Sequence, residues 1–201
     1  MSKRVVIGTH NKKKGIELAE MLAPFGLEVA TLDDFPSAIE VVEDGDSFAA
    51  NARLKATQQA VHLGEWVLAD DSGIEIDALD GAPGIYSARF AGEQATDQDN
   101  NRLLLDKLGD LPPVKRGARY YCHVTLADPA GEVRAESHST CRGVIRREPV
   151  GSHGFGYDPL FEVREYHRTF GELGPAVKRA LSHRSRAMRA IVPQVITLVS
   201  G

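Results

Sequence analysis

A chain of 201 residues with 42% hydrophobic side chains can bury one sizeable core, and nothing in its middle reads as a linker, so residues 1–201 are expected to form a single domain. A formal net charge of -4 excludes a general nucleic-acid binder, whose affinity comes from neutralising phosphates with a basic surface; any anionic ligand must be met by a local Lys/Arg cluster. No run approaches the roughly 18 apolar residues of a membrane span, the opening MSKRVVIG has no signal-like apolar stretch, and the only cysteines are Cys122 and Cys141, so a reduced, cytoplasmic protein without a membrane partner is expected.

Arg4 to Gly8 reads as a first buried strand. The polar loop Thr9-His10-Asn11-Lys12-Lys13-Lys14-Gly15 follows it, ahead of a helix carrying Leu18, Met21 and Leu22 on one face. Strand, polar loop and helix in this order aim backbone N–H groups and a positive helix end at an anion. The three lysines oppose that helix end unless an anion sits among them; a solvated lysine run is the alternative. The Walker A pattern is absent. Leu27 to Leu32 reads as a second strand, and Val41 to Asp46 as an acidic turn. Ser47 then caps a helix with the apolar stripe Phe48, Ala52, Ala56, Ala60 and Leu63. Glu43 is a metal-ligand candidate and Lys55 lies on a face that can look toward the first loop; surface charge is the plain reading of both.

The chain is organised around Trp66 to Gly92. Trp66 to Ala69 reads as a short buried strand that Asp70-Asp71-Ser72-Gly73 ends, leaving two adjacent carboxylates at the strand's carboxyl end, where open α/β sheets tend to place ligands. Adjacent carboxylates repel unless a cation, a donor network or a raised pKa compensates, which points to a hard metal ion or a proton-transfer group. A capped turn with one solvated Asp is the alternative. Ile74 and Ile76 suggest a separate short strand, and Gly81 to Gly84 a turn. Thr96 to Asp99 resembles a capping box for a helix bearing Leu104, Leu105 and Leu108, closed by Gly109. Ala118 to Ala127 and Val133 to Cys141 form an expected hairpin about a turn at 128–132, which makes the sheet mixed. It sets Cys122 opposite about His138 and Cys141 opposite about Arg119, so the cysteines are not cross-strand partners.

His153 to Pro159 places two aromatics among glycines and a proline without helical or strand period. Such a loop lets the backbone approach a ligand closely and offers Phe155 as a face for a base; a tight turn with Phe155 in the core is the alternative. Ser182 can cap a last helix striped by Met188, Ile191, Val192, Val195 and Val199, which Pro193 should kink or interrupt. His183 and Arg184 at that helix start oppose its dipole, so donors are expected to face a ligand there.

Taken together, THNKKK, the Asn51 and Lys55 pair, ADDSGIEIDALDGAPGIYSARFAG, GFGYDPLF and LSHRSRA resemble the inosine triphosphate pyrophosphatase family, the house-cleaning nucleoside triphosphate pyrophosphatases, along nearly the whole chain. The resemblance implies an α/β fold with an elongated central mixed sheet flanked by helices, two lobes around a deep cleft, and a homodimer. It also implies Mg²⁺-dependent hydrolysis of deaminated purine nucleoside triphosphates, those of inosine and xanthosine and their deoxy forms, to monophosphate and pyrophosphate. By the same resemblance, Thr9, Asn11 and Lys14 contact phosphate together with Lys55, and Glu43 and Asp71 hold the metal. Asp71 is catalytic and Ser72 contacts substrate. Phe155, Gly156, Tyr157 and Asp158 form the base loop, and Lys178, His183 and Arg184 make later contacts. His10 and Lys13 stand where the family has glycine, and Ala50 where it has glutamate. A nucleotide-sensing module without turnover, or a pyrophosphatase for another modified base, are the alternative readings.

Overall fold

The computed structural model describes residues 4–200. Among these residues the strands form a seven-stranded sheet in the order β2-β1-β3-β4-β5-β6-β7. The strands are β1 (Arg4–Ile7), β2 (Glu28–Thr31), β3 (Trp66–Ile76), β4 (Gly117–Ala127), β5 (Val133–Ile145), β6 (Phe161–Val163) and β7 (Arg168–Thr169). The helices are α1 (Lys12–Leu22), α2 (Phe48–Leu63), α3 (Asp97–Leu108), α4 (Pro175–Leu181) and α5 (His183–Ser200). β1 runs parallel to β2 and β3, whereas β5, β6 and β7 pair antiparallel, so the fold is mixed α/β as expected.

The chain divides into two compact units, the first built from residues up to Asp71, Cys122–Ser139 and the chain from Arg184 on, the second from Ser72–Tyr121 and Thr140–His183. In the first unit the period of two along each strand sorts side chains to the two faces of the sheet. Val5, Ile7 and Leu68 meet α1 through Leu18 and Leu22, and α5 through Met188, Ile191, Val192, Val195 and Val199. Val6, Val67 and Ala69 turn the other way and meet Ala56 and Ala60 of α2. Each large aliphatic side chain so buried contributes about 1.5–3 kcal/mol, which is why these stripes select their faces. The second unit gathers Ile74 and Ile76 of β3, Leu104 and Leu108 of α3, and an aromatic group in which Tyr120 lies 4.6 Å from Phe161 and Phe161 stacks on Phe170 at 5.5 Å.

Four expectations are corrected here. Asp70 and Asp71 do not end a strand: β3 runs unbroken from Trp66 to Ile76, and Ile74 and Ile76 belong to it. A carboxylate is tolerated within a strand when its side chain finds a cation, and both do. The three lysines are not in a loop; Asn11 caps α1 and Lys12 to Lys14 form its first turn. α5 continues through Pro193, whose missing N–H does not end the helix because its apolar stripe stays buried on both sides of the proline. The β4/β5 hairpin is shifted by one residue: His123 rather than Cys122 stacks on His138, at 6.1 Å, and Thr125 donates to Glu136 at 3.1 Å. The cysteines are still not bridged; both are free and buried.

Candidate functional site

Alternation along β3 decides what Asp70 and Asp71 can touch. Asp70 follows Leu68 onto the face of α1 and α5, and Asp71 follows Ala69 onto the face of α2. The pleat thus separates two charges that adjacency in sequence would set against each other.

On the α2 face, Lys55 Nζ donates to Asp71 Oδ1 at 3.0 Å and to Glu43 Oε2 at 2.9 Å, while Asn51 Nδ2 donates to Asp71 Oδ2 at 3.4 Å. Asn51 and Lys55 are four apart and therefore neighbours on one side of α2, which Ser47 caps by accepting the Ala50 N–H at 3.2 Å. The other end of Asn51 accepts the Gly45 N–H at 2.9 Å and ties the acidic segment to the helix. Gly45 is required there, since a Cβ would lie 2.6 Å from Asn51 Oδ1. One ammonium is shared by two carboxylates. Burial pushes the Asp71 carboxyl upward; Lys55 and Lys14 oppose it and Glu43 adds to it, leaving the group raised. Burial alone would lower Lys55, but Asp71, Glu43 and Asp70 hold it charged.

On the opposite face Asp70 is fully buried. Arg184 Nε donates to its Oδ2 at 3.2 Å, Lys14 Nζ lies 3.6 Å from the same oxygen, and Arg184 Nη1 donates to Glu17 Oε2 at 2.6 Å. Burial would raise this carboxyl, but Lys14, Arg184 and Lys55 together bring it well below the usual carboxylate range. Asp70 Oδ1 has no hydrogen-bond partner among the described residues, and burial with the Asp70 charge pushes the nearby Cys122 thiol up, so that thiol is no nucleophile. Lys14 is aimed by the start of α1: Asn11 Oδ1 accepts the Lys14 N–H at 3.2 Å and Thr9 Oγ1 accepts the Asn11 N–H at 3.2 Å. The turn before it packs closely on β3, for a Cβ at Gly8 would meet Val67 Cγ1 at 2.7 Å.

The second unit holds the glycine-rich loop. Asp158 is buried and anchors it, accepting from the Phe155 N–H at 2.9 Å, from Lys178 Nζ at 2.7 Å and from the Tyr120 hydroxyl at 3.2 Å. The Lys178 ammonium also stands 4.3 Å from the centre of the half-buried Phe155 ring. Tyr157 turns inward and donates to the Ser87 carbonyl at 2.8 Å. His183 stacks on Tyr120 at 4.6 Å with the rings 6° from parallel. Gly154 allows the tight return, since a Cβ there would lie 2.0 Å from Asp158 Oδ2.

Of the residues singled out from sequence, the first unit therefore joins Thr9, Asn11, Lys14, Glu43, Lys55 and Asp71 through bonds around Asp70 and Asp71. The second joins Phe155, Tyr157, Asp158, Lys178 and His183. Ser72 is half-buried in β3 just beyond Asp71. Arg184 is enclosed with Asp70 and Glu17, although its neighbour His183 belongs to the aromatic group of the second unit. Glu17 and Tyr120 were not foreseen. Glu17 could have been found from its position three residues after Lys14 on the same helix side; nothing in the sequence marks Tyr120 from other strand aromatics.

The sequence model of the Ham1 family matches residues 5–194. A dITP/XTP pyrophosphatase of Rhodopirellula baltica is 54% identical over 197 residues, covering 98% of this chain and 95% of that protein. The structure of a HAM1 protein from Coxiella burnetii superposes with a TM-score of 0.88 at 35% identity, covering 97% of this chain and 98% of that one. A nucleoside-triphosphatase described as a dITP/XTP pyrophosphatase from Mycobacterium abscessus superposes with a TM-score of 0.76 at 42% identity, covering 94% and 99%. Likeness of this extent, in sequence and in backbone alike, means that the chain belongs to the Ham1 family.

Proposed function

We propose that this protein hydrolyses the triphosphates of deaminated purine nucleosides, dITP and ITP, XTP and dXTP, to the monophosphate and pyrophosphate, so that these bases stay out of DNA and RNA. The observation that carries this reading is the buried Asp71 carboxylate, raised above its ordinary pKa and sharing the Lys55 ammonium with Glu43. A carboxylate whose proton affinity is raised by burial is a stronger base, once ionised, than a solvated Asp. The similarity to the dITP/XTP pyrophosphatase of Rhodopirellula baltica supports the same reading.

A nucleoside triphosphate brings about four negative charges, and attack of water on its α-phosphorus requires those charges to be met and the water to be aligned. Lys14 at the capped start of α1 and Lys55 on α2 meet the phosphates, with Thr9 and Asn11 shaping the turn that aims Lys14. Asp71 takes the proton of the attacking water, Ser72 contacts the substrate beside it, and pyrophosphate leaves. Glu43 and Asp71 offer only oxygen donors converging on one point, the Lys55 ammonium, which fits a hard cation. Mg²⁺ keeps waters and phosphate oxygens beside one or two carboxylates, and Glu43 with Asp71 would be those two. When bound, Mg²⁺ would supply charge neutralisation at the phosphates through Glu43 and Asp71.

The base stacks on Phe155, whose plane Lys178 and Asp158 hold. His183 donates to the acceptors that hypoxanthine and xanthine present at O6 and N7; adenine would set its 6-amino donor against it, a mismatch worth about 10⁴ in discrimination where the groups are buried. Arg184, bonded to Asp70 and Glu17, holds the Asp70 charge in place. The protein acts as a single two-lobed domain and as a homodimer, which light scattering tests.

The deciding experiment is pyrophosphate release from dITP, XTP, dGTP and ATP, with Mg²⁺ and with chelator, for the wild type and Asp71→Asn. Mg²⁺-dependent release from dITP and XTP that is lost in the variant is expected. Equal rates on all four would remove the base-recognition argument, and nucleotide binding without release would make this a sensing module.

A further inference from the structure

α3 carries consecutive asparagines whose bonds differ. Asn100 uses both ends of its amide: Oδ1 accepts the Ala91 N–H at 2.8 Å and Nδ2 donates to the Ala88 carbonyl at 3.0 Å, which fastens the segment after Ser87 to the helix. Asn101 reaches the glycine-rich loop instead, donating from Nδ2 to the Gly156 carbonyl at 3.1 Å. Asp97, four residues earlier and so on the same side of α3, accepts the Gly156 N–H through Oδ2 at 2.8 Å. The backbone on both sides of one residue is thus gripped by two side chains of a single helix. Gly156 has a φ of +61°, a left-handed conformation that glycine adopts without steric cost but also leaves readily, so the two bonds select it from the others open to it. Asn101 Oδ1 is buried with no hydrogen-bond partner among the described residues. A buried acceptor left unmet is a cost, so this amide is kept at its post for the bond its other end makes.

Gly156 lies directly between Phe155 and Tyr157. The Tyr157 hydroxyl is tied to Ser87, and the Phe155 N–H to Asp158. With those flanks held, the peptides around Gly156 fix the stretch of backbone from which the Phe155 side chain departs.

We propose that Asp97 and Asn101 are positioning residues that clamp Gly156 and thereby fix the Phe155 face on which the purine stacks, making α3 a determinant of base affinity and base selectivity. This rests on the reading of the loop as the purine site. The clamp touches no reacting group, so its loss should weaken binding of the base while leaving the phosphoryl step to Lys14, Lys55 and Asp71. Releasing one of its two bonds corresponds to about a tenfold loss in affinity. Selectivity should suffer too, because a ring free to tilt accepts purines that a fixed ring rejects.

The test compares Asn101→Ala, Asp97→Ala and Asp97→Asn with Arg102→Ala, an exposed neighbour on α3 whose guanidinium pairs with Asp99 at 3.7 Å and which serves as control. Measured are KM and kcat for dITP and dGTP, the Kd for dITP by calorimetry in an Asp71→Asn background, and the melting temperature. Asn101→Ala and Asp97→Ala should raise KM and Kd for dITP about tenfold with kcat little changed, and narrow the preference for dITP over dGTP. Asp97→Asn, which keeps an acceptor for the Gly156 N–H, should recover most of the loss. Unchanged KM and Kd in a normally melting Asn101→Ala protein would overturn the clamp. So would a fall in kcat that merely tracks a lower melting temperature. A wild type that binds dITP without cleaving it would instead overturn the pyrophosphatase reading, and the Kd values would still judge the clamp.

Discussion

Asp70 and Asp71 are chemically identical neighbours with opposite environments, and their titration should differ accordingly. Asp71 is the proposed base, so it must be deprotonated to act. In the metal-free protein its carboxyl is raised by burial against the pull of Lys55, so a titration followed by NMR without Mg²⁺ should place it above the ordinary carboxylate value of about 3.9. In Lys55→Met the opposing cation is gone, and that titration should move to higher pH. Asp71→Asn should lower kcat by about 10²–10⁴ while dITP still binds. Asp70 shifts the other way, being lowered when folded. A lowered carboxyl contributes stability that is fully present above the unfolded value of about 3.9 and is lost as pH falls from there toward the folded value. Asp70→Asn leaves the buried Arg184 and Lys14 charges without their shared partner. It should cost about 3–5 kcal/mol at neutral pH. Below about pH 4 the gap to wild type should shrink in urea unfolding, because there the unfolded wild type takes up a proton on this carboxyl that the folded protein does not bind.

At the scale of elements, α2 is a delivery device. Its buried face of Phe48, Ala52, Ala56 and Ala60 fixes its rotation, and the positions offset from that face, Asn51 and Lys55, then point at Asp71. The Ser47 cap should be worth about 1 kcal/mol, so Ser47→Ala should lower the unfolding free energy read from urea unfolding by that amount without changing the pH profile. α1 works differently. Lys12, Lys13 and Lys14 occupy a first turn where basic charge costs about 0.3–1 kcal/mol each at low salt. That cost is offset when an anion is bound there.

For the molecule as a whole, ligand binding should be visible as stability. With Asp71→Asn to prevent turnover, Mg²⁺ and dITP at about a hundred times Kd should stabilise the folded state by about 2.7 kcal/mol, read as a rise in melting temperature. Chelator should remove most of that rise, whereas a binding mode independent of the cation would leave it intact. Among the described residues no helix is long and apolar enough to cross a membrane.

The sequence by itself determined the local structure and the chemistry of the parts. The stripe of α5, the capping box of α3 at Thr96 and Asp99, the Ser47 cap and the oddity of the loop after His153 were all legible, because periodicity, caps and glycine-aromatic composition are short-range signals. β6 and β7, only three and two residues long, were not, for so few residues carry no period. Only the tertiary structure decided that β3 continues through Asp70 and Asp71, because its continuity depends on cations brought from α1, α2 and the start of α5. It alone assigned Arg184 to Asp70 and Glu17 while its neighbour His183 stacks on Tyr120. The pairing of charges distant in the chain is set by which faces of strands and helices meet, and that is a property of packing, which no local pattern encodes.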